Sequence, residues 1–491
     1  MRERQIPVAC VQLAAIDRRD FEERWEHVLA LTESAARDAA QLIVLPEGTV
    51  PGYVLGSDAV CTEQIRRAGA DLAAIARRYG ATIVYGGIKM SGGRTLNAAI
   101  ALGPDGRELG FAAKQFLWHF DRRWFAPGET LEPIDTPIGR LGLLVCADGR
   151  IPTIASTLVE RGAQILVMPT AWVTSGRDPA VLENIQADLM VNVRARENGV
   201  PFVACNKSGV ELGAVAYCGK STIVAADGTT SARASERKEE ILTGEALVAR
   251  QQAPCRGARL AAAQRSAVTD RDESAPDRVR IAFTLEREPA ELVRLSHFAA
   301  DADFDVVLAG GVTSATAIGA PTGAAPCGPA GNAERARGGP AGDVAVPIAF
   351  VANATSANAR TTRIAGIRAA VAGDEIVHDP RGLVETRRSG IDLIVWDTRD
   401  DPAWQIRFAR TRAAELRAYV IVFDRGAERA FAVDPAGAML AGTFGEYRLA
   451  SFLYERALTQ ATLVAPATDV AEGLRVAERI RAEGLAPLRT D

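Results

Sequence analysis

Short apolar runs alternate with longer amphipathic stretches through the first half of the chain. The runs at residues 8–12, 42–45 and 82–87 predict buried strands, and the stretches before residue 39 and around 70–79 predict helices. Strands that alternate with helices in this way indicate an α/β architecture. The opening stretch MRERQIPVACVQLAA is therefore interpreted as the first strand and not as a signal peptide.

Three chemically distinct side chains follow three of these apolar runs. Glu47 ends the run in QLIVLPEG, Lys114 follows the run in GFAAKQF, and Cys146 ends the run in LGLLVCADG. Ligands and catalytic groups gather at the carboxyl ends of strands in α/β folds. A carboxylate, an ammonium and a thiol at that edge supply a general base, a cation for a developing oxyanion and a nucleophile.

The order of these residues and their flanks, LPEG and CADGRIP, resembles the nitrilase superfamily of carbon–nitrogen hydrolases. Further similar stretches are TLNAAIALGPDGRELGFAAK, RRWFAPGE, ARENGVPFVACNKSG and YCGKSTIVAADG, so the resemblance spans roughly residues 5–250. It implies an αββα sandwich. It also implies that Cys146 attacks an amide-like carbon, Glu47 acts as base, and Lys114 stabilises the oxyanion together with a backbone N–H just after the cysteine.

One residue departs from the family pattern. The family has a second glutamate six residues before the proline of its FxPG segment, and Asp121 occupies that position here. Aspartate keeps the charge but is one methylene shorter, and we expect it to orient Lys114 or the attacking water. The resemblance also implies substrate-binding roles for residues around the cysteine and the flanking loops, namely Tyr53, Trp118, His119, Ala147 and Trp172.

The residues after the cysteine bear on the substrate. CADGRIP is closer to the Cys-x-Asp-x-Arg-x-Pro of amidases and N-carbamoyl hydrolases than to the Trp-Glu pair of true nitrilases, although Thr153 replaces a common glutamate. An amide or carbamoyl substrate is therefore favoured over a nitrile. Acyl transfer to an amine uses the same three residues and stays open, as does a non-catalytic binding protein, which the intact set Glu47, Lys114 and Cys146 disfavours.

Composition limits the other classes of function. The net charge of −4 provides no basic field for nucleic acid, and no apolar run reaches the roughly 18–20 residues of a membrane span. The seven cysteines show no metal-ligand spacing, so we expect neither a metal nor another cofactor. An odd cysteine count with a candidate nucleophile favours a reducing cytoplasm.

The 491 residues predict two or three domains. We expect a catalytic domain at 1–250, a linker at 251–277, a degenerate nitrilase-like copy at 278–465 and a C-terminal helix or tail at 466–491. Five collinear pairs of segments support the copy, for example RGAQILVMPT with SGIDLIVWDT. Local alignment sets Gly310 and Ala372 opposite Glu47 and Cys146, so the copy is expected to be inactive. It could complete an internal pseudo-dimer; a homo-oligomer is the alternative.

Overall fold

The chain divides into two compact units in a computed structural model. The first unit comprises Met1–Gly257 with Leu463–Asp491, and the second comprises Ala258–Thr462. The predicted linker at 251–277 lies almost entirely outside the described residues. The residues that the structure describes are 4–56, 61–174, 181–248, 275–286, 288–310, 348–351, 360–379, 382, 387, 390–443, 445–465 and 468–469.

Helices of the first unit follow the predicted amphipathic stretches. In the first helix, buried residues recur every three or four positions, which places them on one face. The second helix ends at Gly80, whose φ of +66° is the left-handed conformation that glycine adopts readily. The helices of this unit are α1 (Phe21–Arg37), α2 (Thr62–Tyr79), α3 (Pro152–Glu160) and α4 (Val191–Asn198).

Two six-stranded sheets form the centre of the first unit. Their strand orders are β14-β1-β2-β3-β4-β5 and β13-β12-β9-β8-β7-β6, and β10 pairs with β11 separately. The strands of the unit are β1 (Arg4–Gln12), β2 (Leu42–Val44), β3 (Thr82–Ser91), β4 (Arg94–Leu102), β5 (Glu108–Ala113), β6 (Ile134–Thr136), β7 (Gly139–Leu143), β8 (Ile165–Pro169), β9 (Phe202–Cys205), β10 (Val210–Glu211), β11 (Val215–Ala216), β12 (Thr222–Val224), β13 (Thr230–Arg233) and β14 (Glu240–Val248).

Side chains along β1 point alternately to the two faces of its sheet, and this separates the layers of the first unit. Ile6, Val8 and Cys10 pack in a core shared with Leu143 and Val167 of the other sheet. Their neighbours face the opposite way and pack against α1 and α2; these are Ala9, Val11 and Leu13. Two sheets with helices on the outside confirm the αββα sandwich. It brings the carboxyl ends of β2 and β8, both fully buried, to one edge.

The second unit is described here by itself. Its sheets have the orders β24-β15-β16-β17 and β18-β19-β20-β21-β22-β23. Its elements are β15 (Arg278–Thr284), α5 (Pro289–Asp301), β16 (Val306–Gly310), β17 (Ile348–Val351), β18 (Arg360–Ile364), β19 (Ile367–Ala372), α6 (Asp374–His378), β20 (Leu393–Thr398), α7 (Pro402–Leu416), β21 (Tyr419–Asp424), β22 (Arg429–Val433), β23 (Met439–Gly442), β24 (Leu449–Glu455) and α8 (Arg456–Gln460).

The last described residues form two short strands. Strands β25 (Leu463–Ala465) and β26 (Thr468–Asp469) pair antiparallel and belong to the first unit. Of the segment 466–491, expected to be a helix or tail, the structure describes residues 468–469. None of the described helices combines the length and the apolar character needed to cross a bilayer.

Candidate active site

Glu47 lies just beyond the carboxyl end of β2 and is fully buried. Its backbone N–H donates to the carbonyl of Thr170 at 3.2 Å, and the carbonyl of Pro46 accepts from Gly86 N–H at 3.1 Å. A Cβ at Gly86 would lie 2.3 Å from Glu47 Cα, so only glycine permits this approach. These contacts fix the glutamate between the middle of β3 and the end of β8.

Lys114 lies between two carboxylates. Its Nζ is 2.8 Å from Glu47 Oε1 and 2.6 Å from Asp121 Oδ2, and all three side chains have 0% exposure. Burial alone would lower the pKa of Lys114, but the charges of Asp121 and Glu47 outweigh it and raise that pKa well above its ordinary value. The lysine is therefore held as a cation although it is fully buried.

Asp121 reaches Lys114 from a tight 3-10 turn at His119–Arg123. The carboxylate Oδ2 accepts from Trp118 N–H at 2.9 Å, and the Asp121 N–H donates to the Trp118 carbonyl at 2.9 Å. The shorter side chain thus reaches the lysine because the turn folds back on itself. The structure thus brings Asp121 into contact with Lys114, and the orienting role of Asp121 stays a prediction.

Cys146 begins the turn Cys146–Arg150, with two residues between it and the end of β7, and is 5% exposed. Its φ of +46° is a left-handed conformation, which is uncommon for a residue with a side chain and typical of functional turns. Burial and the charge of Glu47 raise the pKa of the Cys146 thiol, and the charge of Lys114 opposes them. The thiol therefore lies within the electrostatic influence of Glu47 and Lys114.

Sequence reasoning did not single out Asn97. This buried residue of β4 donates from Nδ2 to Glu47 Oε1 at 2.7 Å, so that oxygen accepts from both Asn97 and Lys114. Within the described residues, Glu47 Oε2 is buried and has no hydrogen-bond partner. One carboxylate oxygen is thus fixed and the other is available to a reactant. The only sequence signal for Asn97 is a polar residue inside an otherwise apolar strand.

Two further residues hold the backbone around the cysteine. Asp148 accepts from the N–H groups of Gln115 and Phe116 at 2.9 and 2.8 Å and from Val145 at 3.1 Å, which ties the cysteine turn to the segment after Lys114. Arg194 of α4 donates from Nε to the Gly149 carbonyl at 3.0 Å. An Arg-x-x-Glu sequence occurs in both halves of the chain, as Arg194 with Glu197 and as Arg412 with Glu415. This repeat is the sequence signal that indicates Arg194.

The residues expected to bind substrate occupy different positions around this cluster. Tyr53 is buried, with Lys114 Nζ 5.8 Å from its ring centre, and Ala147 is buried next to Cys146. Trp172 is buried in the core between the sheets, and its Nε1 has no partner among the described residues. Trp118 lies under Arg150, whose Cζ is 5.2 Å from the ring centre, and His119 packs edge-on against Phe120.

The described part of the chain contains no group of three or more histidine, cysteine, aspartate or glutamate side chains arranged to hold a metal ion. The charged and thiol side chains that the structure brings together here are Glu47, Lys114, Asp121 and Cys146. Together they form a buried acid–base pair and a thiol at the strand ends.

Comparison with known proteins identifies the class. The carbon-nitrogen hydrolase family model matches residues 7–253. A probable nitrilase of Schizosaccharomyces pombe is 26% identical over 245 residues, which cover 48% of this chain and 86% of the relative. An omega-amidase of Xenopus laevis is 28% identical, with 44% of this chain and 79% of the relative covered. The crystal structure of an amidase from Nesterenkonia is similar with 26% identity and a TM-score of 0.45, covering 50% of this chain and 91% of that one.

The chain belongs to the carbon-nitrogen hydrolase family and is a hydrolase of the nitrilase superfamily. This confirms the resemblance seen in the sequence.

Proposed function

We propose that the first unit hydrolyses an amide or N-carbamoyl bond through a thioester on Cys146. The observation that carries the proposal is the fully buried Lys114 between Glu47 and Asp121, 2.8 and 2.6 Å from their oxygens, beside a thiol on a left-handed turn. An ammonium fixed in a dry site stabilises negative charge on a reacting oxygen far better than one in water.

The first half of the reaction forms the thioester. Glu47 takes the proton of the Cys146 thiol, and the sulfur attacks the substrate carbonyl carbon. The carbonyl oxygen becomes an oxyanion, which Lys114 and the backbone N–H of Ala147 stabilise. When the tetrahedral intermediate collapses, the C–N bond breaks and the nitrogen takes the proton from Glu47, which releases ammonia or an amine.

The second half consumes one water. Glu47 takes a proton from water, whose oxygen attacks the thioester carbon; the C–S bond then breaks, and Glu47 returns the proton to the Cys146 sulfur. The acid product leaves with the water's oxygen. Asp121 holds Lys114 in place throughout, through the contact of its Oδ2 with Nζ.

The first experiment measures ammonia release by the full chain from short amides, N-carbamoyl compounds and nitriles. Release from amides or carbamoyl compounds by the wild type, and none by Cys146→Ala, supports the proposal. Cys10→Ala, which alters a buried thiol of β1, serves as the matched control and should keep activity. Release from nitriles alone would favour the nitrilase alternative. Turnover only when hydroxylamine is supplied would favour acyl transfer.

We also propose that the second unit is a degenerate copy of the first. Its sheets repeat the strand orders β14-β1-β2-β3 and β6-β7-β8-β9-β12-β13, with the same parallel and antiparallel neighbours. Strands β4 and β5, which lead to Lys114 in the first unit, have no counterpart among the described residues of the second.

A buried ion pair recurs in the second unit. Arg194 donates to Glu197 at 2.7 Å and to the carbonyl three residues after Cys146. Arg412 donates to Glu415 at 2.8 Å, and its Nε donates to the Val377 carbonyl at 2.8 Å. The two units thus share a buried arginine, its glutamate partner and the backbone carbonyl that the arginine binds. A chance likeness of two α/β domains does not explain agreement in all three.

Strand register identifies the residue opposite Cys146. Leu141 pairs with Ile165 in the first unit, and Ala369 pairs with Leu393 in the second. The cysteine is five residues after Leu141, and Asp374 is five residues after Ala369. The expected counterpart Ala372 was therefore two residues too early, because local alignment ignored the pairing. Asp374 accepts from Trp396 Nε1 at 2.9 Å and supplies no thiol, so Cys146→Ala should leave no residual turnover.

A further inference from the structure

The chain returns to the first unit after completing the second. Strands β25 and β26 pair through Leu463 with Asp469 and Ala465 with Thr468, and both belong to the first unit. Thr468 is fully buried although it lies near the end of the sequence. A short polar strand buries little apolar surface, so its position needs another reason.

Thr468 binds the turn that carries Asp121. Its hydroxyl Oγ1 accepts from the backbone N–H of His119 at 2.6 Å, a contact between residues 349 positions apart. His119 has φ +49°, which a residue with a side chain adopts only when its surroundings hold it there. The threonine hydroxyl is one of the groups that hold it.

The position of His119 determines the position of the Asp121 carboxylate. His119 lies between Trp118, whose N–H binds Asp121 Oδ2, and Asp121 itself, which contacts Lys114. A rotation of the His119 peptide would move both ends of this small turn. The distance between Asp121 and Lys114 would then change, although neither residue touches Thr468.

We propose that Thr468 is a positioning residue of the active site, which acts through the His119 peptide to keep Asp121 on Lys114. The role rests on the function proposed above for Lys114 and Asp121. It gives the C-terminal segment a part in catalysis, and the segment reaches the site only after the whole second unit has been traversed.

Hydrogen exchange tests the contact without reference to activity. In Thr468→Val the shape is kept and the acceptor is lost, so the His119 amide should exchange about ten-fold faster. Thr468→Ser keeps the hydroxyl and should retain the wild-type rate. Thr411→Val is the matched control, because Thr411 is equally buried and its hydroxyl has no hydrogen-bond partner in the described part of the chain. Unchanged exchange at His119 in Thr468→Val would overturn the proposal.

Steady-state kinetics test whether Thr468 affects turnover. With the best substrate of the panel, Thr468→Val should lower kcat about ten-fold and leave KM within about two-fold, because Lys114 acts on the transition state. Thr468→Ser should restore most of the loss. A Thr468→Val enzyme as active as Thr411→Val, or one in which only KM rises, would contradict a positioning role. If the wild type hydrolyses nothing in the panel, the proposed function fails, while the exchange result still decides the contact.

Discussion

Lys114 Nζ lies 2.6 Å from Asp121 Oδ2, in an ion pair in which neither side chain has any exposure to solvent. Breaking such a pair on one side leaves a buried charge without compensation, so both partners have to be retained together. The second carboxylate, Glu47, contacts the same ammonium, and its Oε2 has no hydrogen-bond partner among the described residues. Two carboxylates thus share one buried lysine, and the proposed function assigns orientation of the lysine to Asp121 and proton transfer to Glu47.

Replacing Asp121 by asparagine should reduce both stability and turnover. The amide keeps the shape but removes a charge from Lys114, which destabilises the fold by about 3 kcal/mol and lowers kcat at least ten-fold. Urea unfolding and steady-state kinetics measure the two effects. Asp121→Glu restores the charge and the residue usual in the family, so it should be more active than Asp121→Asn. Equal activity of the two variants would remove Asp121 from the mechanism.

Replacing Glu47 by glutamine should lower turnover and at the same time raise the thiolate fraction of Cys146. Turnover should fall about 1000-fold because the general base is lost. The negative charge of Glu47 raises the pKa of the Cys146 thiol, so the variant should have the lower thiol pKa and a larger thiolate fraction at neutral pH. Alkylation of the Cys146 peptide by iodoacetamide, followed by mass spectrometry against pH, should therefore shift to lower pH. A shift to higher pH would show that Glu47 does not act on the thiol as an anion.

The α/β architecture could be predicted because its strands are short and apolar and its helices amphipathic, whereas the αββα sandwich was implied by the family resemblance. The runs at 42–45 and 82–87 correspond to β2 and the first part of β3, and the stretch before residue 39 corresponds to α1. The C-terminal strand β26 could not be predicted in this way. It has two residues, and its hydrogen bond to His119 joins positions 349 residues apart, which no local pattern encodes.

Glu47, Lys114 and Cys146 could be found in the sequence because each follows a strand with a recognisable flank. The residues that hold these three side chains in place could not be found in the same way. Asn97 is 50 residues from Glu47 and binds it only because β3 and β4 pair with a fixed register. The left-handed φ of Cys146 follows from the turn held by Asp148, and a preceding strand does not indicate it. Residue type predicts chemistry, whereas orientation depends on contacts between distant strands.

Replacing Asn97 by leucine should impair turnover more than folding. Leucine fills a similar volume but leaves Glu47 Oε1 with Lys114 as its remaining partner, so the base is less well fixed and kcat should fall about ten-fold. Asn97→Asp should be worse, since it adds a negative charge beside Glu47. Kinetics at constant pH distinguish the two variants, and a leucine variant with full kcat would show that Lys114 alone fixes the base.

The recurring ion pairs allow a matched comparison between the two units. Glu197→Gln and Glu415→Gln each remove a charge partner of a buried arginine and should each destabilise the chain by about 3 kcal/mol in urea unfolding.

The effects of these two substitutions on turnover should differ. Arg194 holds the Gly149 carbonyl in the turn that begins at Cys146, so Glu197→Gln should also lower kcat, by about ten-fold. Arg412 holds the carbonyl of Val377 in the second unit. In the proposed duplication Asp374 stands in the place of the cysteine there, so Glu415→Gln should leave the kcat of the folded enzyme unchanged. Kinetics under conditions in which both variants are fully folded separate these effects. An equal loss of kcat in both variants would contradict the assignment of turnover to the first unit alone.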